Sequence, residues 1–305
     1  MTRYVRLFTG VTAALLLTGC GIHASTANRP GPRAVIEVAA SVNVWGSILS
    51  QLGGNHVHET SIISNPATDP HDYEPSPADA RIIAAARLFV ENGIGYDSWA
   101  EQAVRANPDR ARTLIDVGQV TGTQPGGNPH RWYSPTDVAK VADAITAGLT
   151  RLDPADAGYY DTRRHDFETA GLADYHQLIN TIKAKFARAP VGASESIFSP
   201  LAQALGLDLI TPPGFLKAIS EGTDPSAADK ATIDTQIRDR RIKVYVFNSQ
   251  NSTPDVTAQV TAARSHGIPV VPVTETLSPA GASFQQWQTS QLQALQTALS
   301  KAIGP

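Results

Sequence analysis

Two short stretches repeat one arrangement. DPHDYEPSP at 69–77 and NPHRWYSP at 128–135 each place a histidine directly after a proline. An aromatic residue follows two positions later, Tyr73 or Trp132, and a further proline lies beyond it. Proline fixes φ and stiffens the loop, so His71 and His130 are presented from restrained backbones. A fixed neutral imidazole is a good ligand for a divalent metal. Two in matching contexts suggest one shared metal site.

Two histidines do not complete a site. The strand-like runs APVGASES and IPVVPVTET place Glu195 and Glu275 at their ends. Two imidazoles and two carboxylates balance a divalent cation and contain no sulfur. That set suits manganese, iron or zinc better than copper(I), calcium or magnesium. His56 and His58 flank a valine at a strand start, where they offer at most a surface metal contact. His165 and His176 fall on a long helical segment, His266 near a helix end, and His23 close to the N-terminus, all weaker candidates.

The elements that position these residues alternate strand and helix. AVIEVAAS, VHETSIIS, LFVENG and RTLIDVG read as strands in the first half, with helical runs between them. APVGASES, LDLITPP, IKVYVFNSQ and IPVVPVTET repeat that grammar in the second. Such alternation predicts parallel βα units. Ligands then belong at the carboxyl ends of the strands, where the four residues fall. Between the halves, apolar residues recur from Tyr160 to Phe186 at helical spacing. One helix over 153–188 is expected, able to span both halves at ~1.5 Å per residue; two helices broken near Gly171 are the alternative. The fold class is therefore α/β, two lobes with parallel sheets bridged by one long backbone helix. The expected lobes are 34–152 and 189–305.

The chain has 305 residues, 42% hydrophobic and 17% charged, with a net charge of −3. Scattered charges give no case for nucleic acid. The one cysteine, Cys20, ends MTRYVRLFTGVTAALLLTGC. Two arginines, an apolar run too short to span a bilayer and Leu17-Thr18-Gly19-Cys20 resemble a bacterial lipoprotein signal with its lipidation site. The expectation is a signal peptide over 1–19, lipid on Cys20, and a flexible Pro/Gly-rich tether over 20–33. With its thiol lipidated, the chain has no disulfide and no thiolate ligand.

DPHDYEPSPADARIIAAARLFVENGIGYDSW, NPHRWYSP, LDPADAGYY and EGTDPSAADKATID together resemble the zinc/manganese family of metal-ion solute-binding proteins of bacterial ABC importers. The resemblance covers essentially the whole mature chain. It implies two α/β lobes bridged by a long helix, and carries the first two ligand positions onto His71 and His130. The third falls on Glu195, counted back from Leu205-Gly206-Leu207. The fourth, usually aspartate, falls on Glu275 in one alignment and on Ser278 in another; Asp72 or Asp224 substitutes only if loops move. GQVTGTQPGGNPH lacks the histidine-rich loop of many zinc-specific members, which with Glu195 tilts the metal toward manganese or iron. The implied function is extracytoplasmic capture of one divalent metal (Mn2+, Zn2+ or Fe2+) and delivery to a permease. A lipid-anchored monomer at the cell membrane, not an enzyme, is expected. The alternatives are the same fold holding an organic ligand such as a siderophore, an adhesin or metal store, and a metallohydrolase, for which no His-Glu-x-x-His motif is present.

Overall fold

The computed structural model describes residues 2, 34–67, 70–251 and 253–304. Residue 2 apart, the expected signal peptide, Cys20 and the expected tether therefore lie outside the described residues. From Ala34 onward the chain forms one compact unit.

The first half contains β1 (Ile36–Val42), α1 (Asn43–Gly53), β2 (Val57–Ile63), α2 (Pro77–Ala85), β3 (Leu88–Glu91), α3 (Ser98–Ala106), β4 (Thr113–Asp116), the short α4 (Val117–Thr121) and α5 (Pro135–Leu152). Its sheet is wholly parallel, in the order β2-β1-β3-β4. α6 (Ala157–Asp166) and α7 (Ala173–Phe186) lead to the second half. That half contains β5 (Pro190–Ala193), α8 (Ser199–Leu205), β6 (Asp208–Leu209), α9 (Pro213–Ser220), α10 (Ala227–Arg238), β7 (Val244–Asn248), α11 (Pro254–Ser265), β8 (Val270–Val273) and α12 (Phe284–Ile303). Its parallel sheet runs β6-β5-β7-β8. β1 is buried from Val38 to Val42 on both faces, as expected for a parallel strand covered by helices.

The linking segment is helical from Ala157 to Phe186, but it is not one regular α-helix. Phe167–Gly171 forms a π turn between α6 and α7, an insertion that keeps the path helical while altering its register. The break foreseen near Gly171 is thus a change of helical pitch. Three helices were not anticipated, the short α4 among them, where the strand reading of RTLIDVG runs on to Gly118. α5 carries its own signal, Ser134 capping Asp137 N ahead of Pro135. α9 begins within the TPP run that reads as the end of a strand.

The lobes share a core. A single apolar cluster runs from Val38, Trp45 and Trp132 to Val191, Val244 and Trp287, taking in Tyr160, Tyr175 and Ile182 of the linking segment. α12 ties the lobes a second time. Its Phe284 amide donates to Ser47 Oγ at 3.0 Å and Gln288 Nε2 to the Trp132 carbonyl at 3.1 Å. Swinging the lobes far apart would expose this shared apolar surface, at about 25 cal/mol per Å². Among the described residues, no helix is long and apolar enough to cross a membrane.

Candidate metal centre

The site lies at the carboxyl ends of both sheets. His71 is in the 3-10 turn Pro70–Asp72 after β2. Its loop is stapled by the Tyr73 hydroxyl, which donates to Asp79 Oδ2 at 2.8 Å. Asp79 also accepts from the Ser76 amide at the start of α2, at 2.6 Å. Tyr73 further packs on Trp99, ring centroids 5.2 Å apart. The aromatic after the Pro-His pair thus anchors the loop to the two helices beside it.

His130 precedes the 3-10 turn Arg131–Tyr133. Arg131 pairs with Asp137 in the first turn of α5. Trp132 is fully buried, edge-on to His130 at 5.4 Å. The Asn128 side-chain oxygen lies 3.0 Å from both the backbone N and Nδ1 of His130. An amide oxygen only accepts, so Nδ1 carries the proton. Nε2 then keeps its lone pair toward the cleft, the tautomer a metal ligand needs. Burial holds the His130 pKa below its ordinary value, outweighing the Glu275 carboxylate that favours protonation.

Glu275 comes from the other lobe, just beyond β8. Its Oε2 lies 3.4 Å from His71 Nε2 and 3.8 Å from His130 Nε2. One donor atom from each of these residues lies within 4.8 Å of the others. Glu275 is fully buried. Tyr96 donates to its Oε2 at 2.9 Å and Asn248 Nδ2 to its Oε1 at 2.7 Å. Gln250 Oε1 accepts from its backbone N at 2.6 Å. Burial alone would push this carboxyl up, but His130 and His71 hold it well below the usual carboxylate range. A charged acceptor facing two imidazole nitrogens is a donor set for a divalent ion.

Glu195 is also fully buried, just past β5, but stands outside this three-residue group. Its Oε2 accepts from Asn251 Nδ2 at 3.2 Å. Of the alternatives, Asp224 is exposed ahead of α10. A cleft of about 590 Å³ opens onto His71, lined by Tyr96, Asn128 and Pro129 from one lobe and Ser196, Lys217 and Ser220 from the other. Among the described residues, Tyr96 is the one tyrosine, tryptophan or phenylalanine in its lining, not the broad aromatic surface an organic ligand would call for. Of the other histidines, His58 pairs with Glu37, His176 with Glu168, and His266 Nδ1 lies 2.9 Å from its own helix's Ala262 carbonyl.

The supporting residues Tyr96, Asn128, Asn248 and Asn251 were not anticipated. Asn128 had a local signal, lying two residues before the histidine it orients. Tyr96 had none, because its partner is 179 positions away.

Residues 38–298 match the family described as ZnuA, zinc-uptake complex component A, periplasmic. The chain belongs to this family. Its members are substrate-binding components of ABC importers rather than enzymes, and this chain is an extracytoplasmic metal-binding protein of that kind. It is 25% identical to the manganese-binding lipoprotein MntA of Halalkalibacterium halodurans over 216 residues, 67% of this chain and 68% of that one. The iron-binding protein YfeA of Yersinia pestis is 26% identical over 216 residues, 67% of each chain. The structure of a manganese-bound periplasmic metal-binding protein from Candidatus Liberibacter asiaticus superposes with a TM-score of 0.69, covering 87% of this chain and 100% of that one. At 20% identity that likeness speaks for the fold.

Proposed function

We propose that His71, His130 and Glu275 bind the transported ion, with Glu195 as the fourth ligand. The observation that carries this reading is the convergence of the first three, two from one lobe and one from the other, within 4.8 Å. The cargo is Mn2+, Zn2+ or Fe2+. The family name supports zinc, and the names of the relatives support manganese and iron. Nitrogen and hard oxygen donors accommodate all three, while intrinsic affinity favours zinc over manganese.

The ion enters by the cleft at His71, the one ligand of the four that is partly exposed. Bound to residues of both lobes, it stabilises one arrangement of the lobes. The shared core and α12 keep that rearrangement small, so loop adjustment and modest tilting signal the loaded state. The permease recognises that state and takes the ion. The chain acts as a monomer, processed after residue 19, lipid-anchored through Cys20 and tethered by 20–33. Its working parts are a lobe over 34–152, a linking segment over 153–188 and a lobe over 189–305.

Anomalous scattering from crystals of the manganese- or zinc-loaded chain tests the ligand set. The expected peak lies about 2.0–2.3 Å from His71, His130, Glu195 and Glu275 donor atoms. A loaded crystal whose only peak lies elsewhere would overturn the assignment.

A further inference from the structure

A second cluster of donors stands where the α1–β2 connection meets the start of the linking segment. His56 closes the 3-10 turn Gly54–His56 before β2. Asp153 follows α5 and Asp156 precedes α6. One donor atom from each of the three lies within 4.8 Å of the others, and His56 Nδ1 is 3.0 Å from Asp156 Oδ2. The His56 and Asp156 side chains are 17% and 20% exposed, sheltered but open enough for water to complete a coordination shell.

The imidazole is held in one plane. Tyr159 stacks on it with ring centroids 4.0 Å apart and an 11° interplanar angle, and Tyr160 meets it edge-on at 5.8 Å. The Tyr160 hydroxyl donates to Asp153 Oδ2 at 3.4 Å. Both aspartates occupy N-cap positions without making the side-chain cap hydrogen bond, and a donor oxygen of each is grouped with the ring of His56. One carboxylate suffices to pair a protonated imidazole. A neutral imidazole with two carboxylates is a nitrogen-oxygen-oxygen set of net charge −2, which matches a divalent transition metal.

We propose that His56, Asp153 and Asp156 form a second divalent-metal site, separate from the transport cleft. Its ligands come only from the first lobe and the entry to the linking segment. An ion there ties the α1–β2 connection to α6 and is not cargo held between the lobes.

The test uses the full chain carrying His71→Ala and His130→Ala, stripped of metal, dialysed against zinc and counted by elemental analysis. The expected result is one zinc per chain, lost when His56→Ala or Asp156→Asn is added, with the helical circular dichroism unchanged. Should His56→Ala unfold the chain, the nearly isosteric Asp156→Asn carries the test. No zinc in the starting variant, or a zinc count that neither further substitution lowers, would overturn the proposal. Because the readout is loss that depends on His56 or Asp156, it remains decisive whether or not the transport ligands are correctly assigned.

Discussion

The two lobes share a strand order but present the donors proposed above differently. In the second lobe Glu195 and Glu275 stand two residues past the ends of β5 and β8, so strand geometry sets their positions. In the first lobe His71 and His130 stand on loops well beyond β2 and β4. Those loops are stiffened by prolines and stapled by Tyr73–Asp79, Asn128–His130 and Arg131–Asp137. A donor close to a strand needs little besides a hydrogen-bonding partner. A donor on a long loop needs a local scaffold of its own. The contrast predicts that first-lobe affinity is lost through loop anchors, and second-lobe affinity through the groups gripping the carboxylates.

The largest effect is expected from removing a donor outright. His130→Ala should weaken manganese and zinc binding by more than the about 10–100-fold typical of a lost supporting residue, with the thermal transition of the metal-free protein retained. Calorimetry reads both metals, and wild-type affinity in this variant would break the account of the first lobe.

Next come the supporting groups themselves. Tyr96→Phe removes the hydroxyl held to Glu275 without changing the packed ring, and Asn128→Ala removes the acceptor that fixes the His130 tautomer. Each should cost about 10–100-fold in affinity. The comparison is sharpened by Tyr73→Phe, which frees the His71 loop from Asp79. It should raise loop mobility, read by hydrogen exchange over 70–76, while leaving Glu275 contacts intact. Unchanged exchange there would mean the prolines alone hold the loop.

The smallest effect concerns stability. Burial, with Asp97 and Asp116 nearby, pushes the Glu91 carboxyl up to about 8. Its folded pKa exceeds the unfolded one, so the folded state binds the extra proton between them. The penalty is absent at low pH and grows as pH rises from the ordinary carboxylate range toward 8. Glu91→Gln should therefore gain stability over wild type between pH 5 and pH 8.5, measured by urea unfolding with chelator present. A difference that stays flat across that window would remove Glu91 as the cause.

Much of the fold was legible because local signals agreed. Alternating apolar runs mark the eight strands, and Ser76-Pro77 marks the start of α2. The Pro-His loops stood out because proline restrains backbone whatever the tertiary context. The grip on Glu275 was not legible, since Tyr96 and Asn248 meet it only once two lobes and a strand crossing are in place. The π turn at Phe167–Gly171 was half visible: Gly171 marked the spot, but glycine alone does not distinguish a break from a change of pitch. His56 was noted as a surface histidine. Its neighbours Asp153 and Asp156 are about a hundred residues on, and only the folded chain sets them beside it.

The central claim is that donors of both lobes close on one ion. The most direct test is calorimetric titration of the metal-stripped full chain with manganese and with zinc, beside His71→Ala and Glu275→Gln. The account predicts that each variant, one from each lobe, binds one tight equivalent fewer than the wild type, for manganese as for zinc. A wild-type count of tight equivalents in either variant would contradict it.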